Sequence, residues 1–133
     1  MVNIEKQSGY ITLLSVLIVG AVGVAISTSL VLLGLGNSRT GLSLQQLYQA
    51  KALSDACAEE ALAEVRNLTS FTGSGSLTIG QGTCSYSVTS QGGQDRTVAA
   101  TGTVGTIVRK TKVVLNKITP SIAVVSWQEV GDF

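Results

Sequence analysis

The stretch YITLLSVLIVGAVGVAISTSLVLLGLG, from Tyr10 to Gly36, contains no charged residue. A transmembrane helix needs about 20 apolar residues to cross a hydrocarbon core about 30 Å thick, so this stretch is long enough to span a membrane with some tilt. A cleaved secretory signal has an apolar core of only about 7–15 residues. The stretch therefore predicts a membrane anchor that stays in the mature chain.

The helical pattern continues beyond Gly36 and becomes amphipathic. Small and apolar residues recur there at spacings of three and four, which predicts one buried stripe. The stripe comprises Leu47, Ala50, Ser54, Cys57, Ala58, Ala61 and Val65. The opposite side carries Gln49, Asp55, Glu59, Glu60 and Arg66. We predict one long helix from about Ser8 to Asn67, with a transmembrane half over residues 10–36 and an amphipathic half over 37–68. Glycine disfavours helix, so Gly34, Gly36 and Gly41 are expected to loosen it.

Strand patterns replace the helical pattern after residue 68. Residues 69–76 are predicted to form a loop. Strands are predicted over residues 83–89, 96–101, 107–118 and 122–130. A turn is predicted at 90–95, a second turn or a bulge at 102–105, and a break at 119–121. Cys84, Tyr86 and Val88 form the predicted inner face of the first strand, and Ala123, Val125 and Trp127 are predicted to share one face of the last. Closely spaced turns favour antiparallel pairing. The predicted class is α+β, a long N-terminal helix packed on an antiparallel sheet of about four strands within residues 69–133.

The two cysteines of the chain, Cys57 and Cys84, lie on the two surfaces that should meet. Cys57 belongs to the helix stripe, and Cys84 to the apolar face of the first predicted strand. Two cysteines in a small extracytoplasmic domain are best read as one disulfide. Such a bridge would stabilise the domain by about 3–4 kcal/mol in the chain-entropy model.

Composition argues against catalysis and nucleic-acid binding. The chain has no histidine and a net charge of +1. No nucleophile stands beside a recognisable base, so we predict no enzyme, catalytic residue, cofactor or metal site.

The acidic residues Asp55, Glu59, Glu60 and Glu64 are interpreted as a solvated helix face rather than a metal site or an acid pair. The basic residues Arg109, Lys110 and Lys112 suggest a solvated face or a charge-protected sheet edge, ahead of a contact for an anionic polymer. Trp127 is interpreted as a core or interface residue.

The residues Ser8-Gly9-Tyr10, followed at once by Ile-Thr-Leu-Leu-Ser-Val-Leu-Ile-Val, resemble the leader junction of type IV prepilins and pseudopilins. In that family a short polar leader ends in glycine, and a dedicated peptidase cuts after it and methylates the new terminus. The resemblance implies a leader over residues 1–9, cleavage between Gly9 and Tyr10, and N-methylation of Tyr10. Tyrosine stands where the family usually has phenylalanine.

Leu14 departs from a second mark of the family. Family members usually carry a glutamate four residues after the first mature residue, where it is thought to pair with the terminal amine of a neighbouring subunit. With Leu14 at that position, the chain is most similar to minor pilins that lack the glutamate. The small residues Gly20 and Gly23 favour close helix packing. Leu14, Gly20 and Gly23 are therefore the expected helix-assembly positions.

The resemblance implies a structural subunit of a pilus-like filament, minor or tip-associated. The expected partners are the membrane, a prepilin peptidase and other pilin-like subunits. The expected location is the inner (cytoplasmic) membrane for the precursor and then an extracellular filament or the cell surface. Two alternatives stay open: a pseudopilin of a secretion or DNA-uptake system, and a signal-anchored extracytoplasmic binding module.

Overall fold

The computed structural model describes residues 4–133, with side chains from residue 9 onward. It contains one helix, α1 (Ile4–Asn67), and a five-stranded sheet. The strands are β1 (Gly73–Ile79), β2 (Gly82–Gly92), β3 (Asp95–Val104), β4 (Ile107–Lys117) and β5 (Ala123–Val130). The chain divides into two compact units, Met1–Leu42 and Ser43–Phe133. The predicted α+β architecture is confirmed, although α1 begins earlier than the predicted start at Ser8.

The sheet is an antiparallel meander in the order β1-β2-β3-β4-β5. Short turns join its neighbouring strands, as antiparallel pairing permits. Gly93 and Gly105 occupy turns between strands with φ values of 53° and 59°, a left-handed conformation that glycine adopts without steric cost.

The amphipathic part of α1 lies on one face of this sheet. Six of the seven predicted stripe residues are buried and Leu47 is partly buried, so the predicted stripe is confirmed. Leu53 joins them in a core completed by Val98, Val113 and Leu115. The helix is continuous through Gly34, Gly36 and Gly41, so these glycines do not interrupt it.

The sequence does not predict β1, because its Gly/Ser-rich composition is typical of a loop. In the structure all seven of its residues pair with β2. The ring of Tyr86 occupies the space that a side chain at Gly75 would take, since a Cβ built there would lie 2.5 Å from Cζ of Tyr86. An aromatic side chain can cover an edge glycine in this way and compensate for its missing packing. The sheet therefore has five strands rather than about four.

Gly102 lies within β3, so only Gly105 of the turn or bulge predicted at residues 102–105 belongs to a turn. The turn comes only after Val104. A Cβ at Gly102 would lie 2.1 Å from the carbonyl oxygen of Ala50 and 2.5 Å from the backbone nitrogen of Ser54. Glycine is required here because the backbone of α1 approaches the strand directly.

A bulge in β5 disrupts the predicted shared face of Ala123, Val125 and Trp127. Ser126 pairs with Val114 and Val124 pairs with Leu115, which leaves Val125 as an extra residue. Such an extra residue interrupts the period-two alternation of a strand. Val125 is consequently 60% exposed, whereas Trp127 reaches a side chain of α1.

The charged-edge interpretation of Arg109, Lys110 and Lys112 is also wrong, because β4 lies between β3 and β5 and is not an edge strand. Arg109 instead forms an ion pair with Glu129, and Lys110 forms one with Asp132.

Arg96 joins the segment that follows α1 to the turn between β2 and β3. This side chain is only 5% exposed. Its Nη2 donates to the carbonyl oxygen of Thr69 at 2.8 Å. The two hydrogens of its Nη1 are shared among Ser90 Oγ and the carbonyl oxygens of Gly93 and Asp95. These bonds help to fix the path from the end of the helix into β1.

Candidate functional site

Residues 10–36 of α1, which we name the apolar segment, form the most extensive candidate surface. Every side chain from Gly9 to Gln46 is exposed, and the large apolar ones between Tyr10 and Leu35 retain 45–71% of their accessible surface. Exposed apolar surfaces of this extent are typical of membrane or protein contacts. Among the described residues, α1 is long and apolar enough to cross a membrane.

The hydroxyl groups of this segment are satisfied within the helix. Ser15, Ser27, Thr28 and Ser29 each donate to a carbonyl oxygen four residues earlier at 2.8 Å. Unsatisfied polar groups are costly in hydrocarbon, whereas helical backbone groups bond within the segment. These internal bonds make the segment compatible with lipid or with an apolar bundle of helices despite its hydroxyls.

The sequence-predicted processing and assembly residues lie along this same segment. Gly9 and Tyr10 are helical and exposed, and Leu14 follows about one turn later. Gly20 and Gly23 are three residues apart, and a Cβ at either would meet no atom within 4 Å. Residues three or four apart share a helix face, so these two glycines leave a shallow, open surface where a second helix can approach closely. Their roles stay predictions.

The predicted disulfide is confirmed. Cys57 on α1 is bonded to Cys84 on β2, with their Cα atoms 6.0 Å apart. Both residues are buried, at 0% and 2% exposure. The bond joins the helix covalently to the sheet at the centre of their interface.

The sequence does not predict the polar cluster that Ser54, Asp55, Thr111 and Trp127 form between α1 and the sheet. The hydroxyls of Ser54 and Thr111 are 2.9 Å apart, and Thr111 donates to Asp55 Oδ1 at 3.0 Å. Trp127 Nε1 donates to the same oxygen at 3.3 Å. Asp55 is therefore only partly exposed, and its predicted place on the solvated side of the helix is wrong. The polar Ser54 inside an otherwise apolar stripe was the only signal.

The hydrogen count in this polar cluster indicates which bonds form. Ser54 and Thr111 each carry one hydroxyl hydrogen. Because a bond to a carboxylate is the stronger, Thr111 donates to Asp55. The single Ser54 hydrogen is then divided between Thr111 and the carbonyl oxygen of Lys51, which is 2.9 Å away. These bonds orient the helix on the sheet.

Two ion pairs lie beside the cluster. Glu129 contacts Lys51 at 3.2 Å and Arg109 at 2.9 Å, with side chains that are one-third to one-half exposed. Pairs this exposed contribute little stability, about 0–1 kcal/mol each. Over the described part of the chain, no group of three His, Cys, Asp or Glu side chains could hold a metal ion.

Replacing Thr111 with valine is expected to lower the free energy of unfolding by about 1–2 kcal/mol, because Asp55 loses a hydroxyl donor in a partly buried setting. Urea unfolding of the detergent-solubilised chain, followed by the fluorescence of the single tryptophan, measures the change. Thr83→Val is the matched control, since Thr83 is exposed on the opposite face of the sheet. An equal effect of both substitutions would contradict a specific role for the cluster.

Two titratable groups outside the apolar segment are perturbed. Burial raises the pKa of the Tyr86 phenol, and the nearby carboxylates of Glu64 and Glu60 raise it further. A hydrogen bond from Lys110 lowers the pKa of Asp132, and the Phe133 backbone N–H and the Lys110 charge add to this lowering. Both shifts favour the protonation states that these groups have at neutral pH.

The lowered pKa of Asp132 predicts a pH-dependent C-terminal tail. A depressed pKa means that the ionised contact is present above the ordinary pKa and is lost as pH falls through the lowered value. We expect the Phe133 ring resonances to approach random-coil positions at strongly acidic pH, as followed by NMR. In Asp132→Asn the Phe133 ring resonances should lie near random-coil positions already at neutral pH. A tail equally ordered in this variant would contradict the role of the carboxylate.

Comparison with protein-family models, curated proteins and solved structures found no match to this chain.

Proposed function

We propose that this protein is a structural subunit of a type IV pilus-like filament, minor or tip-associated. The observation that carries the proposal is the exposed apolar segment of α1. The same helix continues into the amphipathic stripe, and Cys57 of that stripe is disulfide-bonded to the sheet. A helix that is apolar all round suits lipid or the interior of a helix bundle. The compact unit Ser43–Phe133, which we name the head domain, would not by itself require such a segment.

Assembly would move the apolar segment from lipid into contact with neighbouring helices. Both settings are apolar, so the transfer has a small solvation cost, and the internally bonded hydroxyls need no water in either. Helix association in an apolar medium depends on close packing, which small residues such as Gly20 and Gly23 permit. These features support a membrane-stored precursor that later joins a filament.

Processing would create a new amine at Tyr10. A buried charge without a partner is costly, and Leu14 offers no carboxylate to pair with that amine. A subunit of this kind is best suited to a position where its terminus is not enclosed by other subunits. This reasoning favours a minor or tip-associated role over the repeating body of the filament.

The location of the head domain is supported by its disulfide. Disulfides form and persist in oxidising compartments outside the cytoplasm. In the proposed topology the leader faces the cytoplasm, where a prepilin peptidase acts, and the head faces outward. The proposed location is therefore the inner membrane for the precursor and a filament or the cell surface for the mature chain.

N-terminal processing tests the proposal. The chain is co-expressed with a prepilin peptidase, and its intact mass is measured. The wild type is expected to begin at methylated Tyr10. Gly9→Leu should keep residues 1–9, because a bulky side chain replaces the glycine at the cleavage position. Gly41→Leu is the matched control, since Gly41 is also helical and exposed.

The two alternatives give different results. A wild-type chain that keeps Met1 in the presence of the peptidase would overturn the proposal in favour of a signal-anchored binding module. A pseudopilin would be processed in the same way, and its incorporation by a secretion or DNA-uptake machinery rather than a pilus machinery would identify it.

A further inference from the structure

The outer face of the sheet, opposite α1, carries an array of hydroxyl groups on β1, β2 and β3. Cross-strand pairing places these residues in three rows, which together we name the hydroxyl face. The rows are Ser74-Ser87-Ala99, Ser76-Ser85-Thr101 and Thr78-Thr83-Thr103. Eight of the nine positions are thus serine or threonine, and none is charged.

These eight hydroxyls have no hydrogen-bonding partner among the described side chains and backbone groups. Their side chains are short, and threonine is stiff about its first torsion. Ordering them against a ligand therefore costs less entropy than ordering lysine or glutamate side chains. The sheet spaces neighbouring rows by about 7 Å along a strand and neighbouring strands by about 4.8 Å.

An aromatic ring borders this array. The hydroxyl face contains a recess of about 480 Å³, whose lining includes Ser76, Ser85, Thr101 and Phe133. Lys110 holds the C-terminal tail in place through Asp132, and its Nζ lies 5.0 Å from the centre of the Phe133 ring. Phe133 remains 54% exposed, so its ring offers apolar surface to a ligand.

We propose that the hydroxyl face binds a neutral glycan. Serine, threonine and sugar hydroxyls each donate and accept hydrogen bonds, so the two surfaces are chemically complementary. The apolar C–H face of a sugar ring can lie against Phe133, as apolar groups do on aromatic rings. This inference concerns the head domain and does not depend on filament assembly.

Charge distinguishes this ligand from other classes. Lys110 and Lys112 on β4 continue two of the rows, beside Thr101 and Ala99. An anionic polymer would need more cations than these, because Lys110 is paired with Asp132. A protein partner would be expected to use large apolar or aromatic residues at its centre, which the rows lack. Each bond to the glycan replaces a bond to water, so a single head domain binds weakly.

Titration of the full chain tests the proposal. The chain is held in phosphocholine micelles, because detergents with sugar headgroups would compete. Neutral hexasaccharides of glucose and of N-acetylglucosamine are added, and backbone amide shifts are followed by NMR. We expect shifts concentrated in β1–β3 and at Phe133. The double substitution Ser85→Ala/Thr101→Val and the single substitution Phe133→Ala should each weaken binding by about tenfold or more.

Ser126→Ala is the matched control, since Ser126 pairs with Val114 on the same outer face but lies outside the three rows. Its affinity should equal that of the wild type. Unchanged amide dispersion outside the mutated strands shows that the variants are folded. The proposal is overturned if neither neutral sugar binds, or if binding is unaffected by the row and Phe133 substitutions. Binding of only a sulfated hexasaccharide, lost in Lys112→Gln, would overturn it in favour of an anion-binding surface.

Discussion

Gly102→Ala is expected to destabilise the head domain by about 3 kcal/mol or more, at or above the upper end of the usual overpacking range. The added methyl group would lie 2.1 Å from the carbonyl oxygen of Ala50 and 2.5 Å from the backbone nitrogen of Ser54. Both are backbone atoms of α1, so no side-chain rotation can relieve the clash. The helix must move away from β3, which would separate the buried residues around it.

Thermal unfolding, followed by Trp127 fluorescence, measures this effect. A loss of about 3 kcal/mol should lower the melting temperature by more than about 10 °C for a domain of this size. Gly131→Ala is the matched control, because a Cβ at Gly131 meets no atom within 4 Å and its φ is not in the left-handed region. Equal melting temperatures for the two variants would show that the helix does not approach β3 this closely.

Removing the disulfide with Cys57→Ala/Cys84→Ala is expected to have a comparable effect. The bond joins residues 27 apart in sequence. In the chain-entropy model, a loop of this length is worth about 3–4 kcal/mol, because the cross-link restricts the unfolded chain. Both cysteines are also buried, so their truncation leaves unfilled space between α1 and β2.

Urea unfolding with and without a reducing agent measures the contribution of the bond. The wild-type midpoint should fall on reduction towards that of the double variant, whereas the variant should be insensitive to the reductant. The double substitution avoids the unpaired thiol that a single substitution would leave. A wild-type midpoint that is unchanged after complete reduction, verified by thiol titration, would contradict a stabilising role.

The correct sequence predictions rest on patterns read within single elements. The helix stripe from Ala50 to Val65 follows from a spacing of three and four, and the inner face of β2 follows from alternation. Cys57 and Cys84 belong to these two patterns, so their pairing could be predicted once the two faces were expected to meet. The apolar stretch after Gly9 is also a pattern within one element, and with Gly9 it is the basis for the proposed processing and assembly.

The wrong predictions concern residues whose role depends on a distant neighbour. β1 has a loop-like composition, and Gly75 is accommodated only because the Tyr86 ring covers it. Gly102 resembles a turn glycine but serves a close approach of α1. Asp55 resembles a solvated acid until Thr111 and Trp127 reach it across the interface.

The sequence by itself determined the charge-free helix, its amphipathic continuation and the faces that carry the two cysteines, because periodicity along one element sets which side chains can be buried together. Only the tertiary structure decided the fifth strand, the bulge in β5, the polar cluster and the row alignment of the hydroxyl face. Those features depend on register and on the separation between elements. Contacts between residues far apart in the chain set both quantities, and no local pattern encodes them.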